Sequence, residues 1–422
     1  MPDSTLPTAV QPRQHALLRV QPGKRRPLLQ RLTWERLKTI ALTLIFGYPA
    51  AVLIRLVSPL VRIRVGEIPV NRIGYILPTA DLYLCEKTEW RGRRPLDLVY
   101  FSGPSVNSAA YEMVRRKIRP VPWARFIAGP NARLPGAENH VIEFRYFDSD
   151  GIRARVGPTL ELDPKWIRDG DAWLESLGVA QDQPVILIAN RDQAHLDNIH
   201  PEMNWDYHDY RNTDIEKMRP MAEYFAAKGY AVIRMGANVA ASFESNSPLI
   251  IDYAWSHRTP ERDIYLGARC KFFIGPTSGI SELVLVFRKP FGAINVAPFM
   301  TTMNIGGLPI YFLDGLWMPK HLRRKLDGRF LSAREIIELG AHQFYSSGEY
   351  EAAGIDLVEN SAEEITDFAI ELEKRLSGDA PLEDQDEMLY ASFWQKTVNA
   401  DSPSGRAPIA ISFLRNHPYL IR

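Results

Sequence analysis

Between residues 184 and 295 the chain alternates short apolar runs with amphipathic stretches. Residues 184–189 form a continuous apolar run, the signature of a strand buried on both faces. A helix ending at Lys228-Gly229 leads to a strand over 230–235, followed by a short strand over 249–253. Next come a helix over 261–268, a strand over 271–274, a helix over 280–287 and a strand over 291–295. The first half shows the same rhythm less clearly. A strand is expected at 73–77, with Thr79 capping a helix through Leu82, Leu84 and Lys87. A second strand is expected at 96–101, then the turn Ser102-Gly103-Pro104 and a helix over 108–117. Residues 141–147 alternate like a half-exposed strand, and Asp163-Pro164 opens a helix that Gly178 closes. The pattern predicts an α/β chain of two Rossmann-like parallel-sheet domains, 66–178 and 179–345, facing a cleft at the carboxyl ends of their strands. An extension over 346–422 begins with the capping box Ser361–Glu364 and a helix over 362–376. Residues 380–410 read as polar and irregular, and 411–420 as apolar again.

Residues 1–65 form a separate arm. Its first thirty residues are rich in Pro, Gln and Arg and read as disordered. An apolar run over 39–54 follows, shorter than the roughly 20 residues a spanning helix needs, and Gly47 and Pro49 interrupt it. Arg31, Arg36 and Lys38 precede it; Arg55, Arg62 and Arg64 follow. Charge on both sides suits a segment lying in the headgroup plane better than one crossing the bilayer. A membrane surface is therefore expected as a partner of residues 31–64, with a helix packed on the body as the alternative.

Charge sharpens this division. The formal net charge is +1, yet residues 1–65 hold eleven Lys/Arg against two Asp/Glu, so the rest is net acidic. Nucleic acid is not expected as a partner. Cys85 and Cys270 show no metal-ligand spacing and read as core residues in a reducing compartment, which points to the cytoplasm.

Three constellations carry candidate chemistry. In the first, the strand at 271–274 feeds Gly275-Pro276-Thr277-Ser278-Gly279, which opens the next helix with Glu282 in its first turn. Free amides at a helix start, two glycines and two hydroxyls suit a diphosphate. A plain capped turn explains the same residues. The second is the polar run after the 184–189 strand: Asn190, Arg191 and Asp192, then His195, His200, His208, Arg211 and Asp214. Arginine at a strand's carboxyl end suits a phosphate. The histidine spacings match no common metal motif, and Thr213 with Glu216 reads as a capping box. The third is Arg234-Met235-Gly236 at the end of the following strand. Asp148-Ser149-Asp150-Gly151 resembles a metal-binding Asp-x-Asp but reads as a turn, and no Gly-x-Ser-x-Gly suggests a hydrolase.

Several ordered motifs add a resemblance. They are Arg72-Ile73-Gly74, Asp81-Leu82-Tyr83-Leu84, Tyr100-Phe101-Ser102-Gly103, Asp209–Ile215, Gly229–Gly236, and Asp263-Ile264-Tyr265-Leu266 leading to Phe272–Gly279. Over roughly residues 60–375 the chain resembles a bacterial family of glycosyltransferases with the two-domain GT-B fold. The resemblance implies transfer from a nucleotide-sugar to a saccharide or lipid-linked acceptor, without a metal or other cofactor, in surface-polysaccharide synthesis. It places the protein on the cytoplasmic side of the bacterial cell membrane. The donor would then meet Arg191, Arg211, Arg234, Gly236, Gly275, Thr277, Ser278, Gly279 and Glu282, with Asp81 or Asp192 as base. The family carries a histidine where this chain has Tyr75, which leaves the base to another group. A sugar-nucleotide epimerase of the same architecture and a catalytically inactive membrane-associated binding protein are the alternatives.

Overall fold

The computed structural model describes residues 33–148, 150–192, 206–299, 303–304, 308–309, 315–379, 382–398 and 408–422. The arm's first residues, and His195 and His200 with them, lie outside that set.

The first half is built on two parallel strands, β1 (Ile63–Pro69) and β2 (Leu96–Ser102), in register from Ile63 opposite Leu96 to Pro69 opposite Ser102. Here the structure departs from the sequence reading. The first strand lies at 63–69, across the expected boundary between arm and body, and the expected strand at 73–77 is the start of a 17-residue helix, Ile73–Glu89. That helix contains Pro78, whose missing amide leaves the Gly74 carbonyl without its intrahelical donor. Packing decides the matter, because Ile76, Leu77, Ala80 and Tyr83 are all buried in the core. Thr79, expected as a cap, is buried mid-helix. The expected strand over 141–147 reduces to a single parallel bridge from Val141 to Val65.

The second half follows the expected alternation closely. β3 (Val185–Ile188), β4 (Ala231–Arg234), β5 (Ile250–Ile251), β6 (Phe272–Gly275) and β7 (Phe291–Val296) are all parallel. A short antiparallel pair, β8 (Met303–Asn304) and β9 (Leu308–Pro309), follows. β10 (Leu316–Pro319) then completes a six-stranded sheet of order β10-β7-β6-β3-β4-β5. β3 is laid first, β4 and β5 extend one side of it, and β6, β7 and β10 the other. The order therefore reverses between β3 and β6, and their carboxyl ends form the crevice where such sheets bind ligands. Outside the sheet, β11 (His321–Arg324) pairs antiparallel with β12 (Ile355–Val358). The helix Ala362–Ser377 begins at the expected capping box. Residues 384–398, expected to be irregular, form a helix that buries Phe393 and Trp394.

At the amino end, a helix runs without a break from Trp34 to Leu56. A π-helical turn over Thr43–Gly47 widens the coil just before Pro49, which takes up the missing amide and the ring. Gly47, Ala51 and Ile54 face the body, and a Cβ on Gly47 would collide with the Phe126 carbonyl. Arg55 fastens this helix by donating to the Asn131 side chain at 2.7 Å and the Asn131 carbonyl at 2.8 Å. Leu37, Ile40, Leu44, Ile45, Phe46, Val52 and Leu53 remain exposed.

Candidate functional site

At the switch point, β3 ends in Ala189-Asn190-Arg191 and β6 in Gly275-Pro276-Thr277. Gly275 is packing-driven: a Cβ there would lie 2.8 Å from the Ala189 carbonyl oxygen. Arg191 is fixed from both ends. Its amide donates to Thr213 Oγ1 at 3.0 Å, and its guanidinium donates to the His208 carbonyl and to Asn212 Oδ1 at 2.9 Å. Thr213 therefore serves Arg191, and Asp214 caps the following 3₁₀ turn in place of the expected capping box. Arg211 donates to the Thr277 carbonyl, which ties the β3 loop to the β6 loop. Lys320, just beyond β10, donates to the Asn212 carbonyl at 2.6 Å.

These groups make a cationic cluster. Burial, and after it the charge of Arg211, lowers the Arg191 pKa to about 10. Burial together with Arg191, Arg211 and Arg72 depresses His208 to about 4. Burial lowers Lys320 to about 8, with Lys217 and Arg191 adding to the effect against Glu359. Ser278 Oγ in the loop is buried with no hydrogen-bond partner among the described residues.

The first half closes over this cluster. Arg72 precedes the Ile73–Glu89 helix, whose start carries no side-chain cap. Gly74 sits against Gly279: a Cβ on Gly74 would lie 3.1 Å from the Gly279 Cα, and one on Gly279 would lie 2.9 Å from Ile73 Cγ2. The helix that follows Gly279 is only Ser281–Leu285, so the longer Ile73–Glu89 helix brings the stronger positive end to the loop.

The other expected donor residues are engaged elsewhere. Arg234 is buried and donates to the Ala241 carbonyl at 2.7 Å, to Asp252 at 3.2 Å and to Asn190 at 3.3 Å. It holds the loop after β4. Gly236 makes room for Val239 and Ala254. Asp192 accepts from the Ala240 amide at 3.2 Å.

Asp81 and Glu282 belong to a buried ion cluster that joins the halves. Asp81 accepts from Arg153 Nε at 2.8 Å, Thr159 Oγ1 at 2.7 Å, and Arg288 Nη1 and Nη2 at 2.8 and 3.1 Å. Arg153 also pairs with Glu282 at 3.1 Å, and burial raises the Glu282 pKa against the pull of Arg153. A base has to reach a substrate hydroxyl; Asp81 has no exposed surface and is surrounded by donors. This corrects the expectation that it removes the acceptor proton, and it makes Glu282 a structural partner of Arg153. Asp148 accepts from the Ile152 and Arg153 amides, so its carboxylate serves the start of the short helix Ile152–Val156. Both cysteines are buried, and burial pushes their thiols up to about 11 and about 12.

The sequence reading missed Glu67 on β1. It accepts from Tyr100 OH at 2.8 Å and from Ser102 Oγ, and lines a cavity of about 280 Å³ with Tyr100, Phe144 and Tyr146. Tyr146 packs edge-on against Tyr75, in the first turn of the helix that reaches Gly279.

No protein-family model matches the chain, and no curated protein matches it significantly. Among solved structures it is similar to a glycosyl transferase family 9 protein from Veillonella parvula. The identity is 16%, the TM-score 0.40, and 74% of this chain and 98% of that one are covered. It is also similar to E. coli ADP-heptose LPS heptosyltransferase II, at 13% identity and a TM-score of 0.37, over 69% of this chain and 98% of that one.

Proposed function

We propose that the protein is a glycosyltransferase of GT-B type that binds the diphosphate of a nucleotide-sugar at the β3–β6 crevice. One observation carries this reading: Arg191, Arg211, His208 and Lys320 converge where the strand order reverses, beside the buried hydroxyl of Ser278. Cations held together partly out of water cost free energy, and an anionic ligand offsets that cost. A diphosphate leaving group gathers negative charge as the glycosidic bond breaks, so fixed guanidiniums stabilise the transition state more than the ground state. Thr277, Ser278 and Gly279 supply the loop edge, and Arg72 with the first turn of the Ile73–Glu89 helix supplies the opposite wall.

The acceptor is assigned to the first-half cavity, with Glu67 as the carboxylate that takes its proton and Asp192 as the rival on the donor side. The Trp34–Leu56 helix serves as the membrane element. Its 23 residues have a mean hydropathy of 1.8 in their most apolar stretch and stay largely uncovered by the body. They measure about 34 Å at 1.5 Å per residue, longer than the apolar run alone suggests. A lipid-linked acceptor in a surface-polysaccharide pathway fits an enzyme held at the cytoplasmic face in this way, and co-sedimentation with anionic vesicles tests that part. The central test is a thermal-shift and calorimetric screen of UDP-, GDP-, CMP- and ADP-sugars, ADP-heptose included. One of them is expected to stabilise the chain in a saturable manner. No shift from any of these donors, with free diphosphate also silent, overturns the reading.

A further inference from the structure

A second cluster lies outside the crevice. His321 opens β11, Glu364 stands in the first turn of the helix Ala362–Ser377, and His417 follows the helix Ile411–Asn416. Their potential ligand atoms all lie within 4.8 Å of one another. His321 Nε2 is 3.0 Å from Glu364 Oε1, and His417 Nε2 approaches the same oxygen. The other ring nitrogen of His321 is 2.6 Å from Tyr419 OH. Phe330 and Phe413 pack beside the His321 ring, with centroids 5.2 Å away.

We propose that His321, Glu364 and His417 bind one divalent transition-metal ion, zinc by ligand preference, as a structural clip for the carboxyl-terminal segment. Two imidazoles and a carboxylate supply three of zinc's four tetrahedral positions at about 2.0–2.2 Å, with a water to complete the set. When Nδ1–H of His321 donates to the Tyr419 oxygen, its Nε2 lone pair is left facing the carboxylate. A lone pair against a carboxylate oxygen repels, and a cation between them removes the repulsion. A hydroxyl on the far ring nitrogen is the outer partner that fixes a metal-bound histidine's tautomer. The aromatic wall limits water around the ion.

The placement gives the ion a task. Ile409 bridges Trp317 of β10, and Glu371 accepts from the Ile411 and Ser412 amides at 3.0 and 2.9 Å. The carboxyl-terminal segment is thus laid along the sheet edge, and His417, with Tyr419 just beyond it, tethers it to β11 and the Ala362–Ser377 helix. Metal binding joins three elements that are distant in sequence, so its free energy adds to folding.

The test uses the untagged full chain, with metal content measured by plasma mass spectrometry and Tm followed with added zinc or chelator. About one equivalent of zinc per chain is expected, with Tm lowered by several degrees in chelator and restored by zinc. His417→Ala and Glu364→Gln should each abolish stoichiometric metal; the glutamine keeps an oxygen for the Ser361 amide. Stoichiometric iron in place of zinc would support the site and change the ion. A wild-type chain that takes up no transition metal after zinc reconstitution, with Tm unmoved by zinc or chelator, overturns the proposal. It would leave a hydrogen-bonded His–Glu–His cluster. Neither readout depends on nucleotide-sugar binding, so this proposal and the glycosyltransferase reading fail separately.

Discussion

Two groups of charge, one buried and one half-buried, stand near the contact between the halves, and they are built on opposite principles. Around Asp81 the charges balance: two carboxylates meet two guanidiniums, and donors surround Asp81. Around Arg191 cations prevail: burial and neighbouring cations lower Arg191, His208 and Lys320, against a weaker opposite pull from Asp192, Asp209 and Glu359. A balanced cluster is complete as it stands and holds the halves together. An unbalanced one is what a bound anion would complete. Burial alone therefore does not separate structural from functional charge, whereas the local sum does.

The strongest way to break this comparison is Asp81→Ala, which strands Arg153 and Arg288 without a carboxylate between them. A loss of about 3–5 kcal/mol in denaturant unfolding is expected; a small change would mean the cluster is not what joins the halves. Arg191→Ala should do the reverse, leaving the ligand-free stability close to wild type or higher. Nucleoside diphosphate binding should weaken by roughly 10- to 100-fold in calorimetry. A matched loss of stability would place Arg191 with the structural group. Gly279→Ala pushes a methyl group against Ile73 and is expected to cost about 1–2 kcal/mol, with a loss of donor affinity as the loop moves.

The smallest expected effect is in pH. In the folded chain burial and three arginines keep His208 neutral down to about pH 4, against about 6.5 unfolded. The folded state thus binds fewer protons, and ligand-free stability falls as pH drops through that window. A bound diphosphate cancels part of the repulsion and raises the His208 pKa, so its affinity should increase between pH 7 and pH 5. Flat titrations over that range, or no His208 shift by NMR on binding, would detach His208 from the site.

Legibility followed burial and distance. β3, β6 and β7 are buried on both faces, so they appear as unbroken apolar runs, and the second half could be read almost strand by strand. β1 carries Arg64 and Glu67 on a half-exposed sheet and looks like part of a basic arm. The helix Ile73–Glu89 contains Gly74 and Pro78, two local signals against helix that burial of Leu77 and Tyr83 overrides. Arg191 and Arg211 were visible as basic residues near a strand end. The placement of Lys320 and Arg72 beside them, and the role of Glu67, were not, since Lys320 and Arg72 converge on the site across more than a hundred residues and Glu67 meets Tyr100 only through the β1–β2 pairing. Asp81 looked like a free acid because its partner Arg288 is 207 positions away.

The meeting of Gly74 with Gly279 has a mechanical consequence. Where two glycine backbones meet, little beyond the Ile73 side chain interlocks, and one surface would turn on the other with less repacking at that point. The contact would act as a bearing between the halves, with the Asp81 cluster as the axle pin beside it. Opening about that point would swing the Arg72 wall away from Thr277 and Ser278 while the shaft stays engaged, so a donor could enter and its diphosphate leave without the two bodies ever letting go.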